Sequence, residues 1–283
     1  MESGLPSRTA QGAALHRAAH QLLDHPQIFA DPLALAIIGR EAEEELRSGR
    51  DWHADPSDLL RAFIAVRSRL AEDTLAEAYQ AGVRQYVLLG AGLDTFAYRS
   101  GVSLAALRVY EVDHPATQAW KWERLDAAGI RRPEIVRYTA IDFERQSLDD
   151  ALQAGGFDFA RPAVIAWLGV TPYLTHEAVK KTLAFVAEKR ARGTSIVFDY
   201  PAPADNLDPV QRARAARMAE RVAAMGEPFR SSFDPKALAE ELRALGFSKV
   251  EDFDCAALNA RYFSGRSDGL SLVGRGHIMR AQI

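Results

Sequence analysis

The sequence predicts an α/β protein: a Rossmann-like, seven-stranded, mostly parallel sheet with helices on both faces. Three observations carry this prediction. Short apolar runs alternate with helical patterns between residues 84 and 200. The first run, Tyr86–Leu89, is rich in strand formers and breaks at Gly90-Ala91-Gly92, with the polar pair Asp94 and Thr95 where a helix should begin. The second run ends on an acidic residue, Asp113, roughly 20 positions beyond the glycines, as in sheets that bind nucleotide-like cofactors at their carboxyl edge.

Whole-chain numbers narrow the field. The 283 residues suffice for a full core, with 48% hydrophobic and 26% charged residues. A formal net charge of −3 gives no electrostatic footprint for nucleic acid or a membrane surface. The single cysteine, Cys255, excludes an internal disulfide framework and a cysteine-based zinc site, and suits a reducing cytoplasm. No secretory signal peptide is expected, no run approaches the roughly 18 apolar residues of a membrane span, and no internal repeat is visible.

Residues 1–82 read as a helical block ahead of the first strand. Ala13–Leu23 forms one helix, Pro32 opens another through Ile38, and Glu41–Arg47 is a charged, solvated stretch. Asp55-Pro56-Ser57-Asp58 starts a long helix over Leu59–Ala81, with Leu60, Phe63, Ile64 and Val66 on its apolar side and Gly82 closing it. Within it, Arg67 and Arg69 point to opposite sides. One of them either lies solvated or reaches over the glycine turn to hold a carboxylate. Such a block precedes the βαβ core, so it is expected to cap the cofactor cleft.

Strands follow at 84–89, at Leu107–Val112, at Glu134–Ala140, at Ala163–Leu168 and at Ser195–Tyr200. Helices are expected from Pro115 to Ala128 and from Thr175 to Arg192, with Thr175 as cap. Residues 83–200 thus form the cofactor-binding core. Asp208–Met225 is rich in Arg, Ala and Glu and reads as part of a lid insertion over 201–233. Residues 234–283 supply a helix from Asp234-Pro235 to Leu245, a strand at Ser248–Phe253 and a final strand at Gly276–Ile283, with an antiparallel edge.

The glycine turn raises the cofactor question. A dinucleotide fingerprint wants G-x-G-x-x-G, and Thr95 occupies the third glycine's place. Asp94 also puts a carboxylate in the turn, which a pyrophosphate disfavours and the cationic S-adenosylmethionine tolerates. Asp113 is suited to accept from both ribose hydroxyls; alternatively it or His114 caps the helix that Pro115 opens, and Glu111 shares the ribose or orients the loop. At the end of the third strand, Asp142 is placed to accept from an adenine amine and Phe143 to lie against the ring; Asp142 also reads as a cap. Tyr173 and Tyr200 are candidates for lining an acceptor pocket. None of His114, His176 and His277 stands in a catalytic spacing, so no catalytic residue is assigned.

Three motifs carry a family resemblance: Leu88–Thr95 with Tyr98-Arg99, Tyr110-Glu-Val-Asp-His-Pro115 running into Gln118-Ala-Trp-Lys121, and Arg67-Ser-Arg69. Together they resemble the bacterial branch of the leucine carboxyl methyltransferase family. The resemblance implies a class I methyltransferase fold with a helical cap, and S-adenosyl-L-methionine as cofactor. It implies that Gly90, with Ala91 and Gly92, contacts the cofactor, that Asp113 binds the ribose, that Asp142 and Phe143 flank the adenine, and that Arg67 binds the methionine carboxylate. Leu168 stands where relatives often carry an acidic residue, so backbone carbonyls or another carboxylate are left to meet the ammonium. The expected activity is O-methylation of a small molecule, with a carboxylate acceptor favoured over a hydroxyl because a carboxylate is ionised near pH 7 and needs no base. The competing readings are a nicotinamide oxidoreductase, which the missing glycine and the lack of a Tyr-x-x-x-Lys pair oppose, and a non-catalytic cofactor-binding regulator.

Overall fold

The structure is a computed structural model in which residues 7–49, 57–99, 104, 106–141, 147–189, 191–205 and 207–283 are described. One sheet runs through it in the order β3-β2-β1-β4-β5-β7-β6. Its strands are β1 (Gln85–Leu89), β2 (Arg108–Asp113), β3 (Val136–Ala140), β4 (Val164–Trp167), β5 (Ser195–Pro201), β6 (Lys249–Phe253) and β7 (Gly276–Gln282). The first five pair in parallel, and β7 inserts antiparallel between β5 and β6. The strand order reverses between β1 and β4, and a crevice opens at the carboxyl ends of strands on either side of such a switch.

Every residue of β1 is buried. The reason is two-sided packing: Tyr86 and Leu88 face one core with Val109, Val164 and Val197, while Val87 and Leu89 face a second with Tyr110, Ile165 and Phe198. This period-two alternation places helices on both sheet faces. The helix α4 (Ser57–Gln80) lies on the first face through Ala62, Val66, Leu70 and Leu75. On the second lie α7 (Leu148–Ala154), α8 (His176–Lys189) and α10 (Pro235–Ala244), through Leu152, Leu183 and Leu242. Fully burying one such leucine is worth about 1.5–3 kcal/mol, so two filled layers outweigh any single capping contact.

The leading helices α1 (Arg8–Leu23), α2 (Ala34–Ile38) and α3 (Arg40–Arg47) share a third apolar cluster with Leu93 and Leu125. The short α5 (Phe96–Arg99) follows the glycine turn, and α6 (Pro115–Ala127) follows β2. Several elements differ from the sequence reading, the unexpected helix α7 among them. Helix α1 starts at Arg8 instead of Ala13, because the Ser7 hydroxyl accepts from Ala10 N at 3.1 Å and caps it. An unexpected helix, α11 (Cys255–Tyr262), joins β6 to the final loop, capped by Asp254, whose carboxylate accepts from Ala257 N at 2.8 Å. The expected amphipathic helix at 208–225 is α9 (Pro209–Ala224), with Asp208 as its cap.

Candidate active site

A cavity of ≈ 820 Å³ opens at the carboxyl edge of β1, β2 and β4. Its floor is the glycine turn. Gly90 and Gly92 take φ of 72° and 48°, the left-handed region that a side chain resists. A Cβ at Gly90 would run into the Val170 side chain, and one at Gly92 would stand 3.3 Å from the Ala10 methyl of α1. Asp113 locks the turn to β2: Gly92 N donates to its Oδ2 at 2.5 Å and His114 N to its Oδ1 at 2.6 Å. Burial raises the Asp113 carboxyl above its ordinary value, and those two N–H groups hold back part of the rise. The alternatives for capping α6 resolve to His114, whose Nδ1 accepts from Ala116 N at 3.3 Å. Asp94 lines the same cavity and caps α5, its Oδ1 accepting from Phe96 N at 2.7 Å.

The roof comes from distant parts of the chain. Ala10, Ala13, His16 and Arg17 of α1 line the cavity, as do Met218 and Val222 of α9 and the loop 226–230. Buried charge pins α1 and α4 to the turn. Asp31 accepts from Thr95 Oγ1 at 2.6 Å, and the Arg17 Nε stands 2.8 Å from it. That second contact is ionic, since the Arg17 Nε–H finds no aligned acceptor. Arg17 also donates to the Leu93 carbonyl, and Arg99 pairs with Glu72 of α4. In the loop after α9, the Glu227 carboxylate accepts from Arg8 N at 3.3 Å and Thr9 N at 3.0 Å, so it sits on the free N–H groups of the α1 N-terminus. Burial pushes the His16 imidazole down to about 4, against the Gly12 carbonyl, which favours the charged form, so it is neutral at pH 7.

A second, smaller chamber of ≈ 250 Å³ adjoins the first. Leu60, Arg67, Gly169, Tyr173, Met218 and Phe229 line both. Arg67 stands at this junction. Its Nη1 donates to Asp199 Oδ2 at 3.0 Å, while Asp199 Oδ1 accepts from Gly169 N at 2.5 Å. A Cβ at Gly169 would stand 2.7 Å from the Arg67 guanidinium, so this glycine makes room for the arginine. Burial pushes the Tyr173 phenol up to about 12, and its ring packs 5.4 Å from that of Phe229.

The predicted residues therefore divide. Arg67, Gly90, Ala91, Gly92, Asp94, Asp113, Leu168 and Tyr173 all line the large cavity. Tyr200 lines only the second chamber, and its hydroxyl donates to Asp252 Oδ1 at 2.8 Å. Glu111 is absent from both walls: it is buried behind the turn, accepting from Lys121 Nζ at 2.8 Å and Tyr98 Oη at 3.2 Å. Arg69 points away, to Asp73 at 2.7 Å. Asp142 and Phe143 lie outside the described residues. Sequence reading missed Asp199, Glu227, His16 and the Arg17–Asp31 pair. Only Asp199, at the carboxyl end of an expected strand, carried a signal that could have singled it out.

The strand order, the antiparallel β7 and the glycine turn after β1 define the class I methyltransferase fold. A crystal structure of a provisionally named methyltransferase from Thermobifida fusca YX superposes with a TM-score of 0.61 at 17% identity, covering 99% of this chain and 96% of that one. The sequence is 29% identical over 308 residues to YktD of Bacillus subtilis (strain 168), named as a provisional S-adenosyl-L-methionine-dependent methyltransferase, with 99% of both chains covered. A protein of the same provisional description from Mycolicibacterium paratuberculosis (strain ATCC BAA-968 / K-10) is 33% identical over 215 residues, 73% of this chain and 70% of that one. The sequence profile described as leucine carboxyl methyltransferase matches residues 10–187. The protein is an S-adenosyl-L-methionine-dependent methyltransferase. It belongs to the leucine carboxyl methyltransferase family.

Proposed function

We propose that the protein transfers a methyl group from S-adenosyl-L-methionine to an oxygen of a small molecule, with a carboxylate the favoured acceptor. One observation carries the reading: the left-handed glycine turn tied to the Asp113 carboxylate at the floor of the large cavity. The residues that line the cavity suit a nucleoside with an amino-acid tail. Gly90, Ala91 and Gly92 present backbone with little side chain in the way. Asp113 is an acidic acceptor at the end of β2, suited to ribose hydroxyls. Arg67 can hold a carboxylate with the guanidinium edge that Asp199 leaves unused. Asp94 and the Leu168 backbone carbonyl are the groups left for the ammonium end. The family resemblance assigns Asp142 and Phe143, which lie outside the described residues, to the adenine.

When bound, S-adenosylmethionine supplies an electrophilic methyl group on sulfur. This chain's part is alignment and exclusion of water. The junction at Arg67, Gly169 and Tyr173 is where an acceptor in the second chamber meets the first. The acceptor needs an oxygen that approaches in line, and holding it there removes much of the entropic barrier. Tyr173 stays a neutral phenol at pH 7 and can donate to the acceptor without becoming a base. A carboxylate, already ionised, asks no proton transfer of the chain. Helices α1 and α9 keep water from the reacting atoms. In this reading 1–82 is a cap, 201–233 a lid, and the acceptor is neither nucleic acid nor membrane.

The test is calorimetric titration of the full chain with S-adenosylmethionine and S-adenosylhomocysteine, repeated on Asp113→Ala and Arg67→Ala. The wild type is expected to bind both, with affinity falling more than about tenfold in each variant, since hydrogen bonds to charged groups are worth about 1.5–3 kcal/mol. No binding of either ligand by the wild type would overturn the reading. A following screen of acids against matched alcohols and phenols separates carboxylate from hydroxyl acceptors.

A further inference from the structure

The second chamber has an uneven distribution of charge. Among the described residues, four charged ones line it: Arg67, Asp199, Arg214 and Arg275. Its one carboxylate, Asp199, is committed to Arg67 and to Gly169 N at the inner end. Arg275, in the loop before β7, donates Nη1 to the Ala202 carbonyl at 3.0 Å and has no acidic partner among the described residues. Burial lowers its affinity for a proton without any opposing acid. Arg214, on the exposed side of α9, likewise has no acidic partner among the described residues. Two uncompensated cations thus face one small space in a protein whose net charge is −3. The rest of that wall is mostly apolar, with Leu59, Phe63 and Leu272 prominent.

Position separates this charge from the reaction. Arg275 lines only the second chamber, whereas Arg67, Gly169 and Tyr173 line both. Arg275 thus stands on a wall of the second chamber that the large cavity does not share. A half-buried guanidinium in apolar surroundings rejects neutral ligands weakly and binds planar anions well, because its fork matches a carboxylate and little water competes.

We propose that Arg275 is the specificity determinant of the second chamber, anchoring an anionic group of an acceptor whose body is apolar and whose methylated oxygen lies at the other end. The acceptor class is then an amphiphilic acid with two oxygen functions, such as a hydroxy acid or a dicarboxylic acid. Arg214 adds long-range attraction at the mouth. This rests on the methyltransferase reading in treating the chamber as the acceptor site, though the anion preference itself does not depend on it.

Octanoate and octan-1-ol, matched in chain and differing in charge, are the probes. They are titrated calorimetrically into the full chain, both alone and saturated with S-adenosylhomocysteine. Octanoate is expected to bind at least about tenfold tighter than octan-1-ol to the wild type. In Arg275→Gln the two should come within about twofold of each other, with S-adenosylhomocysteine affinity unchanged; Arg214→Gln should remove a smaller part of the preference. Equal binding of the two probes to the wild type, binding of neither, or the full preference surviving in Arg275→Gln would each overturn the proposal. Arg275 also holds the Ala202 carbonyl, so thermal melts accompany each variant. Should Arg275→Gln fail to fold, Arg275→Lys, which keeps a donor and the charge but loses the fork, must show a reduced preference for octanoate. If the wild type does not bind S-adenosylhomocysteine, the methyltransferase reading fails alone, because titration of the unloaded protein still reads the anchor.

Discussion

At the floor of the large cavity, Gly90, Ala91 and Gly92 offer backbone, and their shape is set by left-handed φ values and by one carboxylate, Asp113, from the neighbouring strand. At the roof, α1, α9 and the loop after α9 offer side chains, and their position is set by charge: Arg17 and Arg99 around Asp31, Glu72 on Arg99, Glu227 on the α1 N-terminus. The floor is continuous with a sheet whose strands are buried on both faces, so it moves only if the sheet moves. The roof packs through its own small apolar cluster and is fastened by polar contacts, each of which can break separately.

The comparison makes stability and binding separable. Asp31→Ala removes a buried carboxylate that two arginines, Thr95 and Leu33 N all use, leaving Arg17 without its acid. Breaking one side of a buried pair costs about 3–5 kcal/mol, so urea unfolding should show a loss of that size. A loss below about 1 kcal/mol would mean that charge does not fasten the roof. Gly90→Ala acts on the floor. The left-handed conformation costs a side chain about 1–2 kcal/mol, and the new methyl also meets Val170. Here the larger effect should fall on S-adenosylhomocysteine affinity, read by titration, because the strained turn must shift away from its ligand. Equal loss of affinity in the two variants would erase the distinction between floor and roof.

The same division explains what could be read in the sequence. The floor was legible because its parts are adjacent and each has a local signature: an apolar run, then Gly90 and Gly92, then an acid at the next strand's end. The parallel part of the sheet followed from alternating apolar runs, and its antiparallel edge from a late helix and two late strands matched to a seven-stranded sheet. The roof was not legible in detail. Helix α1 is Ala-rich and buries Ala14, Ala18 and Ala19 together with His16, Arg17 and His20, so its cavity side has no apolar stripe to mark it. Glu227 meets the α1 N-terminus across some 220 positions, and Asp199 meets Arg67 across 132, separations at which no spacing rule operates. Helix α11 was missed because it buries a single side chain, Leu258, and Asp254 was its only signal. Arg67 shows the limit from the other side: family likeness singled it out, but its partner Asp199 and its place between two chambers needed coordinates.

The last predicted effect concerns pH, where the change per unit is modest, and it too separates roof from floor. His16 has a folded value of about 4 against an ordinary 6.5, because burial in α1 disfavours its charged form. Between those values the unfolded chain binds the proton and the folded chain does not, so stability falls as pH drops from 6.5 towards 4. Asp24 acts in the same direction, but lower down and for the opposite reason. Burial alone would raise it, but hydrogen bonds from Arg61 and His20 bring it to about 2 from 3.8, so the stability it contributes above 3.8 is lost as pH falls through that lower window. Urea unfolding at pH 7, 5.5 and 4.5 should therefore show a loss of at most about 1.4 kcal/mol per pH unit attributable to His16. His16→Gln is expected to flatten that part of the profile and leave the acid limb below 3.8 intact. A profile unchanged by the substitution would place the titrating group elsewhere. If S-adenosylhomocysteine affinity fell in step with stability over the His16 window in the wild type but not in His16→Gln, the roof would be the pH-sensitive half of the site and the glycine floor the constant one.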